Sequence, residues 1–326
     1  MDFLIKPDLL PHPPAPLSYT KKEWGSITTY TAPAPVSGVG SYQLYFNIGS
    51  IPQEDLSYLC LYQMLLTELD TGRYPVEQQK TLEQEYLHEC TFDEFYPGPE
   101  AGPYSYPQMT VFWYGLTEDF ACGLDFLLNI MGDSDYRDSA TIIQVLEKYL
   151  PDYDLSKTDN AASLAFSLAE GYIRRESCFR NLLNGQEIYC FLKNLLDRMR
   201  NDENVADVVA EKLRSISVSI LGSAKTIFTA SGPEEALEAV ERQGIAALKQ
   251  LRRQFGPPDC SQEGAAGASH PSPPLCAPIF FPPKSRGWES AWKPPPRRSG
   301  FWGISGGIAG LRAVTCPFSW LAGINI

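Results

Sequence analysis

The sequence predicts an α+β fold in which a long helical layer packs on a small mixed or antiparallel sheet. Three observations carry that expectation. A segment with two-residue alternation runs directly into a helix that is apolar nearly all round. Further apolar stripes at helical spacing recur along most of the chain, and only a few short segments show strand alternation. With 326 residues the chain is long enough for about two domains of ordinary size. We divide it into a proline-rich linker (1–20), an α+β domain (21–255) and a low-complexity tail (256–326).

The elements follow in order. Ile27 to Tyr30 reads as an early strand, and Gly38-Val39-Gly40 as a turn. From Tyr42 to Ile48, the apolar Tyr42, Leu44, Phe46 and Ile48 alternate with Gln43, Tyr45 and Asn47, the period of a half-buried strand. Gly49 to Pro52 breaks it. From Glu54 to Leu69 the apolar positions surround the helical circumference, which predicts a helix packed on several sides. Val76 to Glu89 predicts a second helix, and the Pro/Gly cluster from Pro97 to Pro103 a loop before a strand from Met109 to Gly115. Helical stripes then recur at Phe120, Leu124, Leu127, Leu128 and Met131; at Ile142, Leu146 and Leu150; at Ala165, Leu168, Ala169 and Tyr172; at Ile188, Leu192, Leu195 and Met199; and at Val205, Val208 and Val209. Such stripes are expected to face the core. Ser217 to Leu221 and Lys225 to Ala230 are assigned as the remaining strands. Ser231-Gly232-Pro233-Glu234 has the pattern of a capped start for a last amphipathic helix.

Three segments carry a family likeness: the strand–helix unit from Tyr42 through Thr71-Gly72, the run Gly185 to Lys193 that reads G-x-x-x-Y-x-F-L-K, and Thr226 to Gly232. Together they resemble the second half of pitrilysin/insulinase-type zinc metallopeptidases, nearest to the branch of the presequence proteases, over roughly residues 1–255. The resemblance implies a peptidase-associated, non-catalytic α+β domain. Catalysis in that family uses H-x-x-E-H on one helix, two zinc ligands and a water-activating glutamate, in the first half of a longer chain. Here the only histidines are His12, His88 and His270, too far apart for one helix to present a pair. The expectation is therefore no catalytic, cofactor-binding or metal-binding residue in this chain, with zinc belonging to a separate catalytic half.

Charge narrows the partners. The total is −12, but residues 256–326 hold six basic against three acidic residues, which leaves −15 on the rest. An acidic body argues against nucleic acid, whose phosphates require a basic face. The tail holds twelve of the 27 prolines and no sustained period, so we expect it to be disordered or out of frame. Gly300 to Leu311 is too short an apolar run for a membrane helix, which takes about 20 residues. No secretory signal is visible at Met1–Asp8, and the eight scattered cysteines lack a C-x-x-C pair. We expect free thiols and a cytoplasmic protein.

Smaller constellations resolve into structural roles. His88-Glu89-Cys90 gathers possible ligands, but adjacent residues rarely give a tetrahedral array. Asp133 to Asp138 begins like a calcium loop, yet Arg137 occupies a ligand position, so a polar cap before the next helix is expected. Gly38-Val39-Gly40 precedes a strand and so is not a nucleotide-binding turn. Ser177 has no histidine placed to activate it.

Two functional expectations follow. The first is a non-catalytic half of a zinc metalloendopeptidase, forming part of a peptide-enclosing chamber wall and inactive by itself, whose partners are a peptide substrate and a catalytic half. The alternative is a stand-alone peptide-binding or structural protein without enzymatic activity. An uncovered apolar surface would also allow self-association.

Overall fold

A computed structural model describes residues 18–98, 104–159 and 161–256, all within one compact unit. The tail, most of the linker, His12, His270 and Gly300–Leu311 lie outside the described residues.

Six strands form one mixed sheet: β1 (Thr20–Trp24), β2 (Ile27–Pro33), β3 (Val39–Asn47), β4 (Glu89–Phe95), β5 (Gln108–Leu116) and β6 (Thr226–Gly232). Their order is β1-β2-β6-β3-β5-β4, with β2 and β6 parallel and all other neighbours antiparallel. The helices are α1 (Leu56–Leu65), α2 (Val76–Tyr86), α3 (Phe120–Asp133), α4 (Ser139–Asp159), α5 (Ala161–Gly171), α6 (Arg175–Asn184), α7 (Gln186–Asn201), α8 (Asn204–Leu221), α9 (Glu234–Ala239) and α10 (Ile245–Phe255). The long helical layer on a small mixed sheet is the predicted fold.

Large side chains from alternate strand positions meet the helices. Tyr42, Leu44 and Phe46 of β3, Met109, Val111 and Trp113 of β5, and Phe228 of β6 are all buried. The Tyr42 ring lies 5.3 Å from Trp113 and 4.7 Å from Phe120 of α3, within the range of favourable ring pairs. As its all-round apolar pattern predicts, α1 is packed by α4, α6, α7 and α8, with Leu59, Leu61 and Leu65 fully buried. The Met131 carbonyl at the end of α3 accepts from Tyr62 Oη at 2.8 Å and Ser217 Oγ at 2.6 Å, which ties α1 and α8 to α3.

Several expectations are corrected. The first helix stops at Leu65 rather than Leu69 because the chain turns at Thr67, whose φ of 70° lies in the left-handed region. Leu69 still reaches the core, but from non-helical backbone. The second helix ends at Tyr86, and Glu89 begins β4. Ser217 to Leu221 is the last turn of α8, not a strand. Its β-branched residues suit either form, and burial of Val209, Leu213, Ile216 and Ile220 at helical spacing decides it. Ser231 and Gly232 complete β6, so α9 starts behind Pro233 with no side-chain cap. The stripe Ala165, Leu168, Ala169 and Tyr172 faces solvent.

Two smaller readings can be placed. Of the expected turn Gly38-Val39-Gly40, Gly38 has φ 72° and turns the chain, while Val39 and Gly40 already belong to β3. Asp138 caps α4, accepting from the Thr141 backbone N–H at 3.0 Å and its hydroxyl at 2.6 Å. Among the described residues Cys60, Cys90, Cys122 and Cys190 are free thiols. Among the described residues no helix is long and apolar enough to cross a membrane.

Candidate functional site

The helices occupy one side of the sheet, and the alternating residues on its other side form the candidate site. Strand pairing fixes which side chains are neighbours there. One row runs Thr28, Ile227, Tyr45, Thr110 and Asp93; the next runs Tyr30, Thr229, Gln43, Phe112 and Thr91; a third joins Ser231, Ser41, Tyr114 and Glu89. The first two rows end at β1 with Glu23 and Lys21, ion-paired at 2.8 Å. Where their opposite-facing neighbours are buried, Thr28, Tyr30, Gln43, Tyr45, Phe112, Tyr114, Ile227, Thr229 and Ser231 remain half-buried. Among the described residues no helix packs on this face.

Residues 104–107, just before β5, lie over one end of this face. Tyr104 Oη lies 2.6 Å from Tyr30 Oη, and the Tyr30 ring also meets Tyr19 at 5.7 Å. Tyr106 lies beneath Lys225, whose Nζ is 5.6 Å from the ring centre. Gln108 Nε2 donates to the Tyr104 carbonyl at 3.3 Å, which fastens this strap to the first residue of β5. Tyr45 Oη donates to Gln43 Oε1 at 2.8 Å and so holds two neighbours on one strand in a fixed orientation.

Burial pushes Tyr30 and Tyr106 up to about 12, and burial also raises Tyr45. These phenols are therefore neutral near pH 7 and act as hydrogen-bonding groups rather than charges. Along its middle strands the face presents hydroxyls, amides and aromatic rings, with Ile227 and Phe112 as apolar points between them, and charges stand at its edges, Lys21 and Glu23 on β1 and Glu89 and Asp93 on β4. Such a surface can hold an extended chain through many weak polar contacts and ring packing.

His88 is exposed at the junction of α2 and β4, while Glu89 and Cys90, being successive strand residues, point to opposite faces. No group of three or more His, Cys, Asp or Glu side chains among the described residues could hold a metal. Asp133 to Asp138 serves as the turn and cap described above, and Ser177 is buried in α6. No residue of the sheet face was singled out as a site from the sequence, although the alternation around Tyr45 already marked Gln43, Tyr45 and Asn47 as its outward positions.

Comparison with known proteins gives three results. Residues 6–195 match the family of domains associated with peptidases of family M16, subfamily C. Among solved structures, a conserved protein from Enterococcus faecalis V583 is similar at 12% identity and a TM-score of 0.49, over 76% of this chain and 54% of that one, so this chain spans about half its length. No curated protein matches the sequence.

Proposed function

Since the chain belongs to the family of domains associated with M16 peptidases of subfamily C, and fits a non-catalytic part of such a peptidase, we propose that its open sheet face forms part of the wall of a chamber that encloses peptides. Zinc and the H-x-x-E-H helix come from a separate catalytic half, and the chain by itself cleaves nothing. One observation carries this reading: a six-stranded sheet with helices on one side only, whose other side is half-exposed and lined along its middle strands by neutral hydrogen-bonding and aromatic groups. A wall of that character tolerates many peptide sequences, because hydroxyls and amides meet backbone groups that every peptide has.

The test mixes the purified chain with a catalytic half of an M16 peptidase and follows cleavage of a fluorogenic peptide. The chain alone should be inactive, and the mixture active. Ile227→Glu, on the open face, should lower kcat/KM by about tenfold or more, roughly the effect of placing an unpaired charge in a contact surface. An Ile227→Glu mixture as active as the original would refute the chamber-wall reading.

A second reading is favoured by the sheet edges. Among the described residues β1 and β4 pair on one side only, so each leaves backbone donors and acceptors available to an added strand. In that case the chain binds extended peptides without a catalytic partner. Fluorescence anisotropy of a labelled peptide against the chain alone distinguishes the two: saturable binding supports the stand-alone role, and no binding removes it.

A further inference from the structure

Helix α5 has its apolar side outward. At about 100° per residue, Leu168, Ala161, Ala165, Ala169, Ala162 and Phe166 follow one another around nearly half of its circumference. All six are exposed. The opposite side carries Leu164, Ser167 and Gly171, which are half-buried toward α6, where Asn181 Nδ2 donates to the Ser167 carbonyl at 2.7 Å. Just beyond the helix, Tyr172 and Ile173 are 73% and 85% exposed and continue the apolar patch. An amphipathic helix on a stable surface has the reverse arrangement.

The outward face also lacks charge. The one charged residue of α5, Glu170, is ion-paired with Arg174 at 3.3 Å. An eleven-residue helix is too short to be held by its own backbone bonds. With Phe166 at 71% exposure and Ile173 higher still, the patch presents on the order of 500 Å² of apolar surface. Two such patches face to face would cover roughly 1,000 Å², the lower bound of a specific interface.

We propose that α5 is a self-association surface on which two copies of this chain pair antiparallel about a two-fold axis. The face is self-complementary. It offers one large side chain, Phe166, beside a row of alanines, and a two-fold axis sets each phenylalanine over the partner's Ala162, Ala165 and Ala169. Alanines permit the close approach of two helix axes, about 8 Å, that such packing needs. In a chain with a formal charge of −12, this uncharged helix face is also where two copies meet with little repulsion. The interface closes at the dimer.

Sedimentation velocity on the full chain, from about 1 to about 100 μM, tests this, since a small apolar interface implies dissociation in the micromolar range. The expected result is a concentration-dependent dimer. Phe166→Glu should weaken it by at least about thirtyfold, and Ser163→Glu, on an exposed position outside the patch, should leave it intact. Circular dichroism should be unchanged in both, because neither side chain packs within the monomer. A monomer throughout the range overturns the proposal, as does a dimer that survives Phe166→Glu. A monomer that captures a catalytic-half polypeptide through Phe166 also overturns it and gives the face to a different partner.

Discussion

Replacing Glu94 by glutamine should remove a pH dependence that one carboxyl imposes on the whole domain. Glu94 lies opposite Met109 in the β4–β5 register and so faces the helices. Asn184 Nδ2, at the end of α6, donates to its Oε1, and Gln63 of α1 also borders it. Burial, helped by the neighbouring Asp93 charge, pushes its pKa from 4.5 up to about 7, against the opposing effect of hydrogen bonds to the carboxyl from the backbone and from Asn184. The sign follows from proton counting. Between pH 4.5 and 7 the unfolded chain has released this proton while the folded chain keeps it, so stability falls as pH rises through that window and is level above it. The full difference would be on the order of 3 kcal/mol. Solvent reaching the half-buried carboxyl lowers the expected value to about 2 kcal/mol. Glu94→Gln keeps an acceptor for Asn184 and never ionises. Urea unfolding of both proteins at pH 5, 6, 7 and 8 should give similar stabilities at pH 5 and a variant about 2 kcal/mol more stable at pH 8. Parallel stability curves for the two proteins would refute the reasoning.

Other substitutions test the packing. Gly244→Ala would bring a methyl carbon 2.7 Å from Phe228 and 3.3 Å from Phe120. Those rings are locked in the core, so a loss of about 1–3 kcal/mol is expected in thermal unfolding. Trp113→Ala removes a side chain that is 1% exposed and lies 5.9 Å from the Phe228 ring, and should cost about 3–5 kcal/mol by urea titration. Burial pushes the Cys60 thiol up to about 12, so alkylation of native protein at mildly alkaline pH followed by mass spectrometry should label the exposed Cys122 and Cys190 well before Cys60.

How much of the fold was legible depended on whether an element's own residues decide its form. In β3 every second residue is buried, and the alternation of Tyr42, Leu44 and Phe46 states this outright. The edge strands state nothing comparable. In β1, TKKEW has burial only at Trp24, and in β4 the acidic Glu89, Asp93 and Glu94 interrupt the apolar positions. Their strand form comes from pairing with β2 and β5, which are partners rather than neighbours in periodicity. The same override, in reverse, made the end of α8 look like a strand: Ile216, Val218 and Ile220 alternate, but Val218 is exposed, while Ser217 is buried with Ile216 and Ile220 because α3 receives its hydroxyl.

The candidate site was half visible for a related reason. Two-residue alternation describes both faces of a strand at once, so identifying the buried residues of β3 also identifies Gln43, Tyr45 and Asn47 as facing the other way. What turns those outward residues into a surface is the strand order, and that order is not local. β6 lies more than a hundred residues after β5, yet inserts between β2 and β3, parallel to one and antiparallel to the other. That insertion places Ile227 beside Tyr45 and Thr229 beside Gln43, and so makes the face continuous from β1 to β4. Chirality of the long β5–β6 connection, which carries α3 to α8, then places those helices on one side. The open face is thus a consequence of topology acting on a pattern already present in the strands, whereas in α5 the same kind of periodicity assigns to the core a stripe that faces solvent.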